Sequence, residues 1–349
     1  CKITDYKLFP SRVITPSIES FHFKKGFSQN HPEVIDTVLV NSNTFGTCSL
    51  IDLLNGTETV AFLVVKNDSI IYEKYFSEYN DTSLVVAFSM TKSFFSLLIG
   101  SAIDDGIIES VHEPVSVFIP ELVNNYTDTL RIEHLLNMTS GLHYNEPTAN
   151  PFALHNRLYW GDNLENEIDR LKFDAAPGER FKYKSLDSQL LAVILKRALK
   201  SESITEYMER KVWKPMGMEF GAIWSTDDSK KIEKTFSSLT ARPRDLIKFG
   251  SLLLGNGRFN GQQIISENWY KAIMEGITTD VASKSYNYQW WKNPNDTTYL
   301  YASGSLGQLL FIDRSNGMVI LRMGKKRFLK TAEWLELFKV LSVKICCSQ

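Results

Sequence analysis

VVAFSMTKSFFSLLIGSAIDDG, residues 85–106, is the stretch on which the reading of this chain turns. Its lead-in is apolar. From Ser89 onward Met90, Phe94, Leu97, Leu98 and Ile103 recur at helical spacing until Asp105-Gly106, where a glycine can take the left-handed end position. Ser89 therefore falls at a strand-to-helix junction. Ser89-Met90-Thr91-Lys92 is the only Ser-x-x-Lys in the chain, and residues three apart on a helix share a face, so the amine can approach the hydroxyl. A serine hydroxyl is a poor nucleophile near neutral pH without an adjacent base, and a lysine fills that part where burial or nearby charge favours its neutral form. Val85, Val86, Ala87 and Phe88 before the motif, and Phe94 and Phe95 after it, supply the burial.

Taken alone, the motif has an ordinary alternative in which Ser89 caps the helix and Lys92 reaches solvent. A second element changes the balance. Tyr183-Lys184-Ser185 follows the turn Ala176-Pro177-Gly178-Glu179 and precedes an apolar-periodic run from Leu186 to Leu199, which puts a phenol at a loop-to-helix junction where it can carry protons. Its own ordinary reading is a packed aromatic beside Phe181, with Ser185 as a cap. The third element, Ala302-Ser303-Gly304-Ser305-Leu306-Gly307-Gln308, is a run of mostly small residues entering a strand. Such a run lets a substrate lie close to the backbone and exposes N–H groups that can stabilise an oxyanion. The alternative there is a Gly-rich turn.

Around these elements Thr59–Val65 and Ser69–Phe76 read as a hairpin turning at Lys66-Asn67-Asp68. Residues from Gly106 to about Ser225 are mostly helical in pattern, including a capping box at Ser203-x-x-Glu206. Arg242–Gly255 reads as a helix. Tyr288–Trp291, Tyr299–Ala302, Gln308–Asp313 and Met318–Met323 read as short strands, with Asn316-Gly317 as a hairpin turn, and Thr331–Ile345 as a closing helix. Strands at both ends with helices between them predict an α/β protein of the α+β type. The expected division is a discontinuous sheet domain over 1–105 and 226–349 and a helical subdomain over 106–225, with the site in the cleft between them.

The three elements, in this order, resemble the serine β-lactamase and penicillin-binding protein superfamily, and within it the class C β-lactamase-like hydrolases. That group includes D-alanyl carboxypeptidases, esterases and 6-aminohexanoate-oligomer hydrolases. Ile132-Glu133-His134-Leu135-Leu136-Asn137-Met138-Thr139-Ser140-Gly141-Leu142 is similar to that family's HLL-x-x-TSGL segment, and Arg244-Asp245-Leu246 through Phe249-Gly250 to its RDL-x-x-FG helix. The resemblance implies a β-lactamase/transpeptidase-like fold, an antiparallel sheet flanked by helices with an inserted helical lobe. It implies Ser89 as nucleophile, Lys92 as proton acceptor, Tyr183 as acid/base partner, and the backbone N–H groups of Ser89 and Gln308 as the oxyanion hole. Ser185, Ser305, Gly307, Trp160 and Trp290 are then candidate substrate contacts, with Trp291 beside them, and neither metal nor cofactor is called for. His134 and His143 read as structural.

Two departures narrow the expectation. Ser185 stands where many relatives carry asparagine, and Ser305-Leu306-Gly307 lacks the basic residue that helps hold a carboxylate in β-lactamases and carboxypeptidases. Both turn the reading towards a small-molecule ester or amide. Two alternatives stay open, a D-alanyl carboxypeptidase or weak β-lactamase and a non-catalytic binding or sensor protein.

The bulk properties agree. The 39 basic and 40 acidic residues leave a net charge of −1, which implies no electrostatic attraction to nucleic acid, and no apolar run suggests a transmembrane span. Cys1 suits a lipid-anchored bacterial envelope or periplasmic protein, with a trimmed precursor or a cytoplasmic protein as the alternatives. Cys48 is expected either free or bridged to Cys346 or Cys347.

Overall fold

Thr59–Lys66 is apolar on both faces, and all but its last residue are buried, as a strand covered by a layer on each side must be. The structure, a computed structural model, describes residues 2–26, 32–122, 126, 128–146, 150, 152–161, 165–227, 232–275 and 285–347. Cys1 lies outside them, as does the side chain of Cys347. Thr59–Lys66 sits inside an eight-stranded sheet between Met318–Gly324 and Ser69–Tyr75, with Val64 opposite Ile320 and Tyr72. Beyond Met318–Gly324 follow Leu309–Asp313, Asp296–Ser303, Trp290–Asn293 and Tyr286–Asn287, all antiparallel. Beyond Ser69–Tyr75 lies Lys24–Lys25, the one parallel pairing among the described residues. This mixed α/β architecture, with the sheet closed by both ends of the chain, is the fold expected from the sequence.

Alternation along the central strands sorts the core into two layers. Ala61, Leu63, Leu310, Ile312, Val319 and Leu321 face the layer that contains Phe94 and Phe249. Phe62, Val64, Phe311, Ile320 and Met318 face Trp334 and Phe338 of the closing helix Thr331–Cys347. The helix Met90–Asp104 is buried at every residue from Met90 to Ala102, the environment its apolar composition requires. A second sheet of four strands, in the order Ser11–Ile14, Ala222–Ser225, Leu239–Ala241 and Val85–Val86, leads directly into that helix. Segment 106–225 carries the helices Ile132–Leu136, Leu154–Trp160, Ser185–Leu199 and Ile204–Met208, and it ends in a strand of this second sheet.

Most local expectations match. The Asn67-Asp68 turn has both residues left-handed, at φ 46° and 57°, as a two-residue hairpin needs. Ser203 and Glu206 form the capping box. Two differ. Asp313 pairs with Met318, so the loop is four residues long rather than a two-residue Asn316-Gly317 turn, and the Asp313 carboxylate holds it by accepting from the Ser315 and Asn316 N–H groups. Tyr288 and Gln289, expected in a strand, are left-handed at φ 44° and 69°, and the strand starts at Trp290. Cys48 and Cys346 are free thiols, so the bridge between them is not formed. No helix among the described residues is long and apolar enough to cross a membrane.

Candidate active site

Phe88 ends the approach to the helix in the left-handed region, at φ 47°, a conformation disfavoured for a bulky residue and maintained here by its surroundings. Val85 and Val86 pair with Ala241 and Thr240, and the Ala87 N–H donates to the Leu239 carbonyl at 2.8 Å, so the strand is held up to the residue before the bend. Ser89 emerges half-buried at the helix start, with no side-chain capping bond to that helix. Its hydroxyl is therefore not spent on the cap that the ordinary reading assigned to it. Among the described residues its N–H has no acceptor.

Lys92, 1% exposed, brings Nζ to 3.0 Å from Ser89 Oγ and donates at 2.7 Å to the carbonyl of Phe236. Its remaining surroundings are aromatic, with the Tyr183 ring centroid at 5.0 Å and that of Phe236 at 5.8 Å. Ser89, Lys92 and Tyr183 thus converge from sequence positions almost a hundred residues apart. Tyr183 is fixed by stacking on Trp291 at 5.5 Å and by an edge contact with Tyr286 at 5.8 Å. Trp291 is in turn set by the left-handed Tyr288-Gln289 pair. The Gln289 amide donates to Leu135 and Leu136 carbonyls and accepts from Ser188, while its own carbonyl accepts from Ser93 on the Ser89 helix. One buried glutamine side chain and its backbone therefore tie three helices together.

The run before Gln308 lies against the bend. A Cβ on Gly304 would stand 2.5 Å from the Ala87 carbonyl oxygen and 3.2 Å from Phe88 Cβ, so the approach requires glycine at this position. Ser305 is exposed, Leu306 is left-handed at φ 62°, and Gly307 follows at φ 83°. The Gln308 N–H makes only a long 3.3 Å contact to the Ser305 carbonyl. Gly304→Ala is expected to push this run off the bend and lower kcat by about 10²-fold, the scale of an ångström-sized misplacement. Steady-state kinetics with a melting curve on the same sample check this.

The other candidates divide. Ser185 is buried, and its N–H donates to Glu146 Oε1 at 2.8 Å. Trp290 is fully buried near Phe94, so its assignment to the cleft surface is corrected: the bend at Tyr288-Gln289 sends Trp290 into the core and its neighbour Trp291 to Tyr183. Trp160 is half-exposed, packed on Phe9 and Tyr159, and linked to the site through Tyr159 and Phe236. His134 caps its own helix by accepting from the Arg131 N–H, and His143 pairs with Asp174 at the surface.

A polar cluster went unread in the sequence. The Tyr144 hydroxyl is 2.7 Å from His155 Nδ1, and Glu146 Oε2 lies 3.5 Å from the same nitrogen. Burial pushes the Tyr144 phenol well above its ordinary range, with Glu146 adding to it. Burial also pulls the His155 imidazole below its ordinary 6.5, against the opposing pull of Glu146 and with a smaller lowering contribution from Lys92. The unfolded chain therefore takes up a proton that the folded ring resists. Stability from this group is complete above pH 6.5 and is lost as pH falls from there through the lower folded value. Thermal midpoints at about pH 7.5 and about pH 5 should differ less in His155→Gln than in the wild type.

The profile of the beta-lactamase family matches residues 49–332. A 6-aminohexanoate-dimer hydrolase of Paenarthrobacter ureafaciens is 24% identical over 302 residues, 80% of this chain and 76% of its own. Among solved structures, a Bacillus anthracis protein provisionally assigned as a 6-aminohexanoate-dimer hydrolase superposes with a TM-score of 0.85 at 25% identity, over 99% of this chain and 92% of that one. The octameric penicillin-binding protein homologue of Pyrococcus abyssi shares the fold, with a TM-score of 0.67 at 18% identity over 84% of this chain and 76% of its own.

Proposed function

The chain belongs to the beta-lactamase family, and from that premise we propose that it is a serine hydrolase cleaving an uncharged ester or amide through an acyl-enzyme on Ser89. The observation that carries the reading is the 3.0 Å approach of buried Lys92 Nζ to Ser89 Oγ beside the ring of Tyr183. When the amine is neutral, that contact passes the serine proton to Lys92 as Oγ bonds to the substrate carbonyl carbon. The resulting oxyanion is met by the Ser89 N–H, which has no acceptor among the described residues, and by the Gln308 N–H, whose long turn contact an anion outcompetes. Tyr183 protonates the departing alcohol or amine as its bond to carbon breaks. The phenolate so formed takes a proton from the water that then adds to the acyl carbon, and Ser89 recovers its proton from Lys92 as its bond to carbon breaks and the acid leaves.

The surroundings support the substrate class. The wall formed by Tyr183, Trp291 and Tyr301 is aromatic, and Ser305 stands where a carboxylate-binding cation is expected. The similarity to 6-aminohexanoate-dimer hydrolases supports a linear amide as the bond cleaved; it does not bear on the charge of the substrate, since a 6-aminohexanoate dimer ends in a carboxylate. One observation favours the second reading, a peptidase acting on carboxylate-bearing substrates: Arg327 Nη2 approaches the Gly304 carbonyl at 3.4 Å and brings a guanidinium to the edge of the third element. A panel of para-nitrophenyl esters, linear amides, D-alanyl peptides and a fluorescent penicillin separates the two. Turnover of uncharged esters or amides with no penicillin adduct is the expected result, and a penicillin adduct with D-alanine release contradicts it.

A further inference from the structure

Arg322 interrupts an otherwise apolar strand, Met318–Gly324, and is fully buried. Among the described residues it has no carboxylate partner. Its guanidinium instead donates to four neutral acceptors: Thr59 Oγ1 at 3.1 Å, the Thr57 carbonyl at 2.7 Å, the Gly307 carbonyl at 2.8 Å and the Leu306 carbonyl at 3.5 Å. It also lies 4.4 Å from the Trp334 ring. Burial draws its pKa down to about 9, which leaves it charged at neutral pH. A buried cation without a counter-charge is costly, and a leucine or methionine would fill this apolar layer at lower cost. Its hydrogen bonds show where the charge is directed.

The Gly307 carbonyl belongs to the same rigid peptide unit as the Gln308 N–H, and in a planar trans peptide the two point in opposite directions. Arg322 shares its strand face with Met318 and Ile320, in the layer of Trp334, whereas Leu321 and Met323 share the layer of Phe94 on the Ser89 helix. The guanidinium thus grips the Gly307–Gln308 peptide from behind the sheet and leaves its N–H directed away from that layer. A Cβ on Gly307 would stand 2.4 Å from Arg322 Nη1, so a side chain there would displace the guanidinium from the Gly307 carbonyl. The rest of Gln308 is pinned as well, its Oε1 accepting from the Gly324 N–H at 2.7 Å and its carbonyl from the Gly304 N–H at 2.8 Å. A cationic donor on a carbonyl oxygen also draws electron density from the amide nitrogen, which makes the attached N–H a stronger donor.

We infer that Arg322 is a positioning residue for the reaction, holding and polarising the Gly307–Gln308 peptide from the far side of the sheet so that the Gln308 N–H meets the oxyanion formed when Ser89 attacks. The inference rests on the serine-hydrolase reading above. It assigns to the buried strand a cation that acts on the transition state through the backbone, without touching the substrate.

The test uses Arg322→Met and Arg322→Lys in the full chain, with para-nitrophenyl butyrate as substrate and a fluorophosphonate probe for Ser89. Arg322→Met is expected to lower kcat on the order of 10²-fold with KM within about twofold, the pattern of a weakened oxyanion donor. A trifluoromethyl ketone, which binds as a tetrahedral oxyanion, should lose affinity by the same factor while butyrate binding is unchanged. A merely structural role would instead weaken both ligands or lower only the melting temperature. Arg322→Lys keeps the charge but not the planar fork, and a loss of about tenfold is expected. It carries the test if the methionine variant fails to fold. A folded variant with wild-type kcat and ketone affinity, in a protein whose Ser89 is labelled, overturns the role of Arg322 alone. A wild type left unlabelled at Ser89 overturns the serine reading and this inference with it.

Discussion

Replacing Ser89 with alanine is expected to lower kcat by roughly 10⁶-fold, the loss that follows removal of a nucleophile from a site whose members act as one unit. Little stability should go with it. The hydroxyl makes no capping bond, and the contact it gives up is the 3.0 Å approach of Lys92, which keeps the Phe236 carbonyl as a second partner. A midpoint shift equivalent to about 0.5 kcal/mol or less is expected, as for a substitution that opens no cavity and strands no buried charge. The pairing of a complete loss of turnover with an undisturbed melt is what separates a nucleophile from a structural serine. Substantial residual turnover in Ser89→Ala, with the same ester preference as the wild type, contradicts the mechanism.

Lys92→Met carries the second-largest effect, a loss of about 10⁴-fold in kcat, at the upper end of what a positioned general base supplies. The methionine fits the same buried space, but the Phe236 carbonyl is left without its donor, so a stability loss of about 1–3 kcal/mol accompanies the kinetic one. Substrate binding has no reason to change in step, because Nζ is turned towards Ser89 and Phe236. KM within a few-fold of wild type is the expected signature. A parallel rise in KM with kcat preserved would instead make Lys92 a binding residue.

The parts of the site legible in the sequence are those set by local geometry. Ser89 and Lys92 are three apart on one helix, and Tyr183 precedes a strongly periodic one, so spacing alone brings each to a helix start. What supports them is non-local. Phe236 is 144 positions from Lys92, Arg322 is 263 from Thr59, and Gln289 is 196 from Ser93. No window of sequence holds such pairs together. Tyr144 and His155, only 11 apart, were missed for a different reason: no regular helical or strand spacing ties them to each other or to Glu146 between them. Trp290 shows what a strand pattern alone leaves open: the left-handed Tyr288-Gln289 pair moves the strand start from Tyr288 to Trp290, and of the two neighbouring tryptophans considered for the cleft, Trp290 is core while Trp291 stacks on Tyr183.

A signal for Arg322 was present but went unused. A lone arginine inside Met-Val-Ile-Leu-Arg-Met is a cation in a buried run, and a buried cation has to be answered by specific acceptors. The sheet was recognisable for the opposite reason. Its central strands are mostly apolar on both faces, and its main hairpin turns on a residue pair suited to the left-handed region.

The central claim is that Ser89 is the nucleophile, and one measurement meets it directly. The protein is treated with a fluorophosphonate, digested, and the adduct located by peptide mass spectrometry. The expected result is a single covalent adduct on the peptide carrying Ser89, absent from Ser89→Ala and strongly slowed in Lys92→Met. An adduct on another residue, or folded protein that turns over an ester yet carries no adduct on Ser89, contradicts the account.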